Sequence, residues 1–74
     1  MFKYKKRNDY DLELLEIYRS SLDYYLDQKA LFGASNVPPA IIQGINEAKQ
    51  GIKRVKKVLR KNNIPFEDLP GEDD

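Results

Sequence analysis

Apolar residues recur every three or four positions in two stretches of the chain, and a short run of turn-forming residues separates the stretches. Such spacing is typical of amphipathic helices. The first stretch contains neither Pro nor Gly before Gly33, a residue type that often follows the last turn of a helix. The second lies between a Pro-Pro pair, which suits a first helical turn, and an Asn-Asn pair. We therefore predict helix 1 at about residues 9–32 and helix 2 at about residues 38–62.

The connection between the two predicted helices is short, so they are expected to pack as antiparallel neighbours. Each helix has an apolar face for this contact. On helix 1 the face comprises Leu12, Leu15, Tyr18, Leu22, Tyr25, Leu26 and Phe32, with Leu14 at its edge. On helix 2 it comprises Ile41, Ile45, Ala48, Ile52, Val55 and Leu59. The predicted fold class is all-α, an antiparallel two-helix hairpin over residues 9–62.

Small residues line one side of the apolar face of helix 2, at Ala40, Gly44, Ala48 and Gly51. A glycine in a helix interior costs about 1 kcal/mol relative to alanine. Close approach of helix 1 offsets that cost if Tyr18 or Tyr25 fills the groove that the glycines leave. In the alternative interpretation, the glycines only weaken an exposed helix.

A second apolar stripe recurs at seven-residue intervals on the opposite side of helix 1, formed by Tyr10, Ile17, Tyr24 and Leu31. We call these four residues the outer stripe. A helix in a lone hairpin has one neighbour, so a second stripe indicates a second packing partner. Two helices alone are also marginally stable, because the ordering of the chain offsets most of the gain from burial.

Three interpretations of the outer stripe stay open. In the first, it self-associates, and a two-fold dimer completes a four-helix bundle. In the second, it docks onto another protein or onto the rest of a longer chain. In the third, the C-terminal residues fold back and cover it with Ile64, Phe66 and Leu69.

Charge alternates along the chain in four blocks, although the net charge is only +1. Residues 1–8 form a basic arm, helix 1 is acidic, helix 2 is basic, and residues 63–74 form an acidic tail. Opposite charges on the two helices favour and orient their pairing. The end of the tail is polar and rich in turn-forming residues, and we expect the tail to be partly disordered.

A basic stripe on helix 2 supplies an alternative function, since Lys49, Lys53, Lys56 and Arg60 share one side of the helix. Neutralising phosphates with such a stripe would give strongly salt-dependent binding to nucleic acid. The stripe contains no aromatic or amide side chain that could read base edges. A small nucleic-acid-associated protein is therefore the second hypothesis, behind a protein–protein interaction module.

The residue types of this chain leave little room for catalysis. It contains no Cys and no His, which removes the usual ligands of zinc, iron and copper and the usual nucleophile–base pairs. No glycine-rich phosphate loop occurs, and no apolar run approaches the roughly 20 residues that span a bilayer. We expect a cytoplasmic protein that is not an enzyme, with no cofactor, no metal, no small-molecule substrate and no membrane contact.

Residues 22–59 resemble a small helical-hairpin module of bacterial multidomain proteins. The matching positions are Gln28, Lys29, Ala30, Phe32, Gly33, Pro38, Ile41, Ile45, Ile52 and Leu59. Modules of this kind are effector-associated or adaptor domains beside STAND or NACHT NTPases, caspase-like proteases or TIR domains. The resemblance implies homotypic or partner recognition in bacterial signalling or defence, without catalysis. This chain departs from that arrangement because its 74 residues include no attached effector.

Overall fold

Two helices account for most of the computed structural model, which describes residues 7–73. Helix α1 spans Arg7–Phe32 and helix α2 spans Pro39–Lys61. The predicted all-α hairpin is confirmed, and both helices end within two residues of the expected positions. Residues 1–6 of the predicted basic arm lie outside the described residues, whereas residues 7 and 8 already belong to α1.

Side chains from both helices form a single core between them. Its buried members are Leu15, Leu22, Ile45, Ala48, Ile52, Val55 and Leu59. Partly buried residues surround it, among them Leu12, Leu14, Tyr18, Tyr25 and Ile41. Two predicted members of the hairpin face are corrected, since Leu26 and Phe32 are exposed. Leu26 lies at the edge of the seam beside Leu69, and Phe32 is the last residue of α1, where the chain already turns away.

Two tyrosines of α1 pack directly on two glycines of α2. A Cβ built on Gly44 would lie 2.5 Å from Cζ of Tyr25, and one on Gly51 would collide with the ring of Tyr18. Both glycines are buried. The later tyrosine, Tyr25, meets the earlier glycine, Gly44, whereas the earlier tyrosine, Tyr18, meets the later glycine, Gly51. The helices therefore run antiparallel. The prediction that tyrosines fill the glycine groove is confirmed, and the interpretation of the glycines as weak points of an exposed helix is wrong.

The backbone geometry of Gly33 ends α1 and lets the chain turn towards α2. Gly33 has a φ of +78°, in the left-handed region that glycine enters without steric cost. Its N–H donates to the carbonyl of Lys29 at 3.2 Å, which caps the helix. Pro38 is then the N-cap of α2 in an extended conformation, and Pro39 occupies the first helical position.

The C-terminal end of α2 turns the chain back towards the core. Asn63 has a φ of +58°, and its N–H donates to the carbonyl of Arg60 at 3.1 Å. The N–H of Ile64 donates to the carbonyl of Leu59 at 2.9 Å. This pair of hydrogen bonds is the Schellman motif, which places an apolar residue just after the helix against its last turn. Ile64 accordingly packs against the core.

Neither helix in the described part of the chain is long and apolar enough to cross a membrane.

We predict that Gly51→Ala destabilises the hairpin by about 1–3 kcal/mol, the usual cost of overpacking. The added methyl must displace the Tyr18 ring, and this outweighs the gain in helix propensity. Urea unfolding followed by circular dichroism measures the change. Gln50→Ala, at the exposed neighbouring position, is the control and should change stability by less than about 0.5 kcal/mol.

The Tyr18→Ala variant separates a collision from a general loss of stability. If the ring causes the cost, Gly51→Ala should be far less damaging in the Tyr18→Ala background than alone. Equal costs in both backgrounds would contradict the assignment.

Candidate protein interaction surfaces

The described part of the tail, residues 63–73, lies across both helices and carries four carboxylates. Ile64 and Phe66 pack against the core, and the guanidinium carbon of Arg60 lies 5.3 Å from the centroid of the Phe66 ring. A cation above an aromatic face is an attractive arrangement. These contacts bring the acidic part of the tail within reach of cations on α1 and α2.

The carboxylate of Glu72 joins the two helices. Nε and Nη2 of Arg19 donate to its two oxygens, each at 2.7 Å, in a bidentate pair. Nζ of Lys56 lies 2.6 Å from Oε2, and the N–H of Leu69 donates to the same oxygen at 3.4 Å. Only 5% of Glu72 is exposed. We call Arg19, Lys56 and Glu72 the tail clamp.

Lys56 is fully buried, which is rare for a lysine and requires charged partners. Besides Glu72, its ammonium group donates to Oδ1 of Asp68 and lies 3.5 Å from Oδ1 of Asp73. Asp68 also accepts a hydrogen bond from Nη2 of Arg60 at 3.1 Å. Three tail carboxylates therefore surround one buried ammonium group.

All three nitrogens of the Arg19 guanidinium group donate hydrogen bonds. In addition to the pair with Glu72, Nη1 donates to Glu16 at 3.2 Å and Nη2 donates to the carbonyl of Glu67 at 2.5 Å. Arg19 therefore holds the tail by both a side chain and a backbone group, whereas Glu16 supplies a link within α1.

The pKa values in the tail clamp shift towards the charged forms. Burial acts to raise the pKa of Glu72, but hydrogen bonds from Arg19 and Lys56 together lower it below its ordinary value. Burial acts to lower the pKa of Lys56, but hydrogen bonds to Asp68 and Glu72 together raise it. The hydrogen bond from Lys56 lowers the pKa of Asp68. All of these groups are ionised at neutral pH.

In the structure, buried ion pairs and Phe66 hold the tail against the helices, whereas partial disorder of the tail stays a prediction. Sequence reasoning missed Arg19 and Glu72. A signal was present, since Arg19 lies between Leu15 and Leu22 on the apolar side of α1, and Lys56 has the same relation to Ile52 and Leu59 on α2. Cations on buried faces require anions, and the tail supplies them.

The outer stripe stays open along α1. Tyr10 is 59% exposed, Ile17 55%, Tyr24 59% and Leu31 79%. The rings of Tyr24 and Tyr25 form a T-shaped pair with a centroid separation of 5.3 Å. The interpretation in which the tail covers this stripe is wrong, because Ile64 and Phe66 pack against the core instead.

The basic stripe is interrupted by the tail. Of its four residues, Lys56 is buried and Arg60 is paired with Asp68, so Lys56 cannot act as a surface contact in this conformation. Lys53 is exposed and Lys49 is half-buried, and both line an open groove of about 170 Å³ that Asp73 also borders. At Lys56 and Arg60, carboxylates of the tail already occupy the positions beside the cations that phosphates would take.

Among the described residues no group of three or more His, Cys, Asp or Glu side chains is arranged to hold a metal ion. No known protein family matches the chain, and no curated protein or solved structure is significantly similar to it.

We predict that Glu72→Gln lowers the free energy of unfolding by about 1.5–3 kcal/mol, the range for hydrogen bonds to charged groups. The amide cannot accept from both cations, and Lys56 loses a buried counter-charge. Glu67→Gln is the matched control, since its side chain is exposed and only its carbonyl contacts Arg19. Urea unfolding of both variants checks this, and equal effects would contradict the clamp.

The lowered pKa values of Glu72 and Asp68 predict acid sensitivity. Their stabilisation is complete above the ordinary carboxyl pKa of about 4 and is lost as pH falls through the lower, folded-state value. The raised pKa of Lys56 makes its contribution complete below about pH 10 and lost above its folded-state value. Stability should therefore peak between about pH 5 and pH 10. The difference between wild type and Glu72→Gln should shrink on acidification in unfolding curves recorded from pH 2 to 7.

Proposed function

We propose that this chain is a non-enzymatic protein–protein interaction module that associates with a second copy of itself through the outer stripe. The observation that carries the proposal is the exposure of four large apolar side chains at fixed seven-residue intervals on one side of α1. Isolated exposed apolar residues are ordinary, but four that recur on one side of a helix, one every two turns, indicate an interface.

The arrangement of the rest of the molecule supports this choice of surface. The apolar residues of the tail are used against the core, and the tail carboxylates are used against Arg19 and Lys56. Within the described residues, the outer stripe is thus left without a covering segment. The opposite side of α1 is packed on α2, so the stripe is free to receive a second copy of the chain.

A role as an adaptor in bacterial signalling or defence is the finer part of the proposal. It is supported by the resemblance of residues 22–59 to effector-associated hairpins, in which homotypic recognition is the expected activity. A cytoplasmic location goes with that role. Nucleic-acid binding is the weaker candidate, because Lys56 and Arg60 are engaged by the tail.

We predict that Ile17→Asp and Tyr24→Asp each weaken self-association by at least roughly tenfold, as expected for charges placed in the centre of an apolar interface. Light scattering after size exclusion, at several protein concentrations, measures the mass, with 8.6 kDa expected for one chain. Both positions are more than half exposed, so the variants should unfold at nearly the wild-type urea concentration.

The control is Ile42→Asp, which makes the same chemical change at an exposed position of α2 outside the stripe. It should leave the mass unchanged. A wild-type chain that stays monomeric at high concentration would contradict self-association. A dimer that survives both α1 substitutions would show that another surface is used.

Salt separates the two candidate functions. Asp9, Glu16, Asp23 and Asp27 are exposed on α1, so contact between two copies of α1 brings like charges together and should strengthen as salt screens them. Nucleic-acid binding through Lys49 and Lys53 would weaken steeply with salt. Charge reversal of Lys53 and Arg60 should abolish nucleic-acid retention if the second function is correct, and should leave self-association mostly intact if the first is correct.

A further inference from the structure

We infer that two copies pair antiparallel along α1, with the two-fold axis passing between Ser20 and Ser21 of each copy. This inference rests on the proposed function and names the geometry of the interface. It follows from the positions of the four outer-stripe residues, from their chemistry and from the small residues at their midpoint.

The outer stripe is symmetric about one point in the helix. The midpoint between Tyr10 and Leu31 and the midpoint between Ile17 and Tyr24 both fall between residues 20 and 21. A two-fold axis at that point places Tyr10 opposite Leu31 of the second copy, and Ile17 opposite Tyr24. One patch then serves both copies, as an isologous dimer interface requires.

Each contact in this register joins an aromatic side chain to a branched aliphatic one. A parallel arrangement would instead place Tyr10 on Tyr10, Tyr24 on Tyr24 and Leu31 on Leu31. It would also align the four acids in the N-terminal half of one α1 with those of the other, namely Asp9, Asp11, Glu13 and Glu16. The antiparallel register places each of these halves beside the C-terminal half of the partner helix, which carries only Asp23 and Asp27, so charge favours it over the parallel register.

Serines at the centre allow the helices to approach. Ser20 is exposed and Ser21 is half-buried, and both lie between the large side chains of Ile17 and Tyr24. Interaxial distances of 8–10 Å depend on the size of the side chains at the contact point, so a small pair there suits close packing. The stripe therefore has large residues on both sides of a shallow centre.

The inferred dimer is a flat layer of four helices and differs from a square bundle. Ile17 and Tyr24 each follow a buried core leucine by two residues, which corresponds to roughly 160° around a helix. The outer stripe thus faces almost directly away from α2. The order across the layer is α2, α1, α1 of the second copy and α2 of the second copy.

The surface available sets the strength of the dimer. The exposed parts of the four side chains amount to on the order of 400 Å² per copy, typical of a functional patch on a monomer. Specific stable interfaces bury about 800 Å² per partner. The dimer should therefore be weak and dependent on concentration, and flanking polar residues such as Gln28 must supply the rest of the contact.

Cysteine cross-linking tests the register, because the chain contains no Cys of its own. In the inferred dimer the two copies of residue 20 lie side by side, so Ser20→Cys should form an intermolecular disulfide in a glutathione buffer. The two copies of residue 27 lie roughly 20 Å apart along the axis. That distance exceeds the roughly 7 Å that a disulfide spans between Cα atoms, so Asp27→Cys should not cross-link. Ile17→Asp in the Ser20→Cys chain should abolish its cross-link.

The outcomes separate this inference from the proposed function. Cross-linking of Ser20→Cys without Asp27→Cys supports the antiparallel register. Equal cross-linking at both positions would mean a parallel pair, which overturns the register and leaves self-association intact. A dimer by light scattering with neither cross-link overturns the use of this face, and a chain that stays monomeric overturns self-association itself.

Discussion

The buried ammonium group of Lys56 is the constraint around which this small protein is organised. A lysine without access to water is costly unless carboxylates surround it, and the carboxylates paired with Lys56 come from Asp68, Glu72 and Asp73 of the tail. Glu72 supplies one of these carboxylates, 2.6 Å from Nζ, and at the same time binds Arg19 on the other helix. The hairpin and the tail are therefore one folding unit, in which the carboxylates of the tail compensate the positive charges that α1 and α2 bury.

Two kinds of contact hold α1 against α2. The tyrosine–glycine contacts fix how closely the helices approach and how α1 is rotated about its own axis. The tail clamp then fixes the far side of the seam, where the core is covered by Ile64 and Phe66. With that rotation set, the outer stripe has to face away from the hairpin.

Much of the fold could be predicted from the sequence, because local rules determine it. Periodicity gave the helices, Gly33 and the Pro-Pro pair gave the turn, and the glycines of α2 indicated the groove for Tyr18 and Tyr25. The tail could not be predicted in the same way. Composition alone makes an acidic, turn-rich segment look unstructured, and its order depends on Arg19 and Lys56, which are distant in sequence. The exposure of the outer stripe likewise depends on where the tail packs, which periodicity does not reveal.

The position of Glu72 so late in the chain has a consequence for biosynthesis. Both helices leave the ribosome before the residue that neutralises Arg19 and Lys56. A nascent hairpin therefore holds Arg19 and Lys56 in its seam without the carboxylate that joins them, and its native packing stays incomplete until residue 72 has emerged. Final folding of this module is in that sense delayed until after both helices have emerged, and the unfinished seam is open to chaperones during that interval.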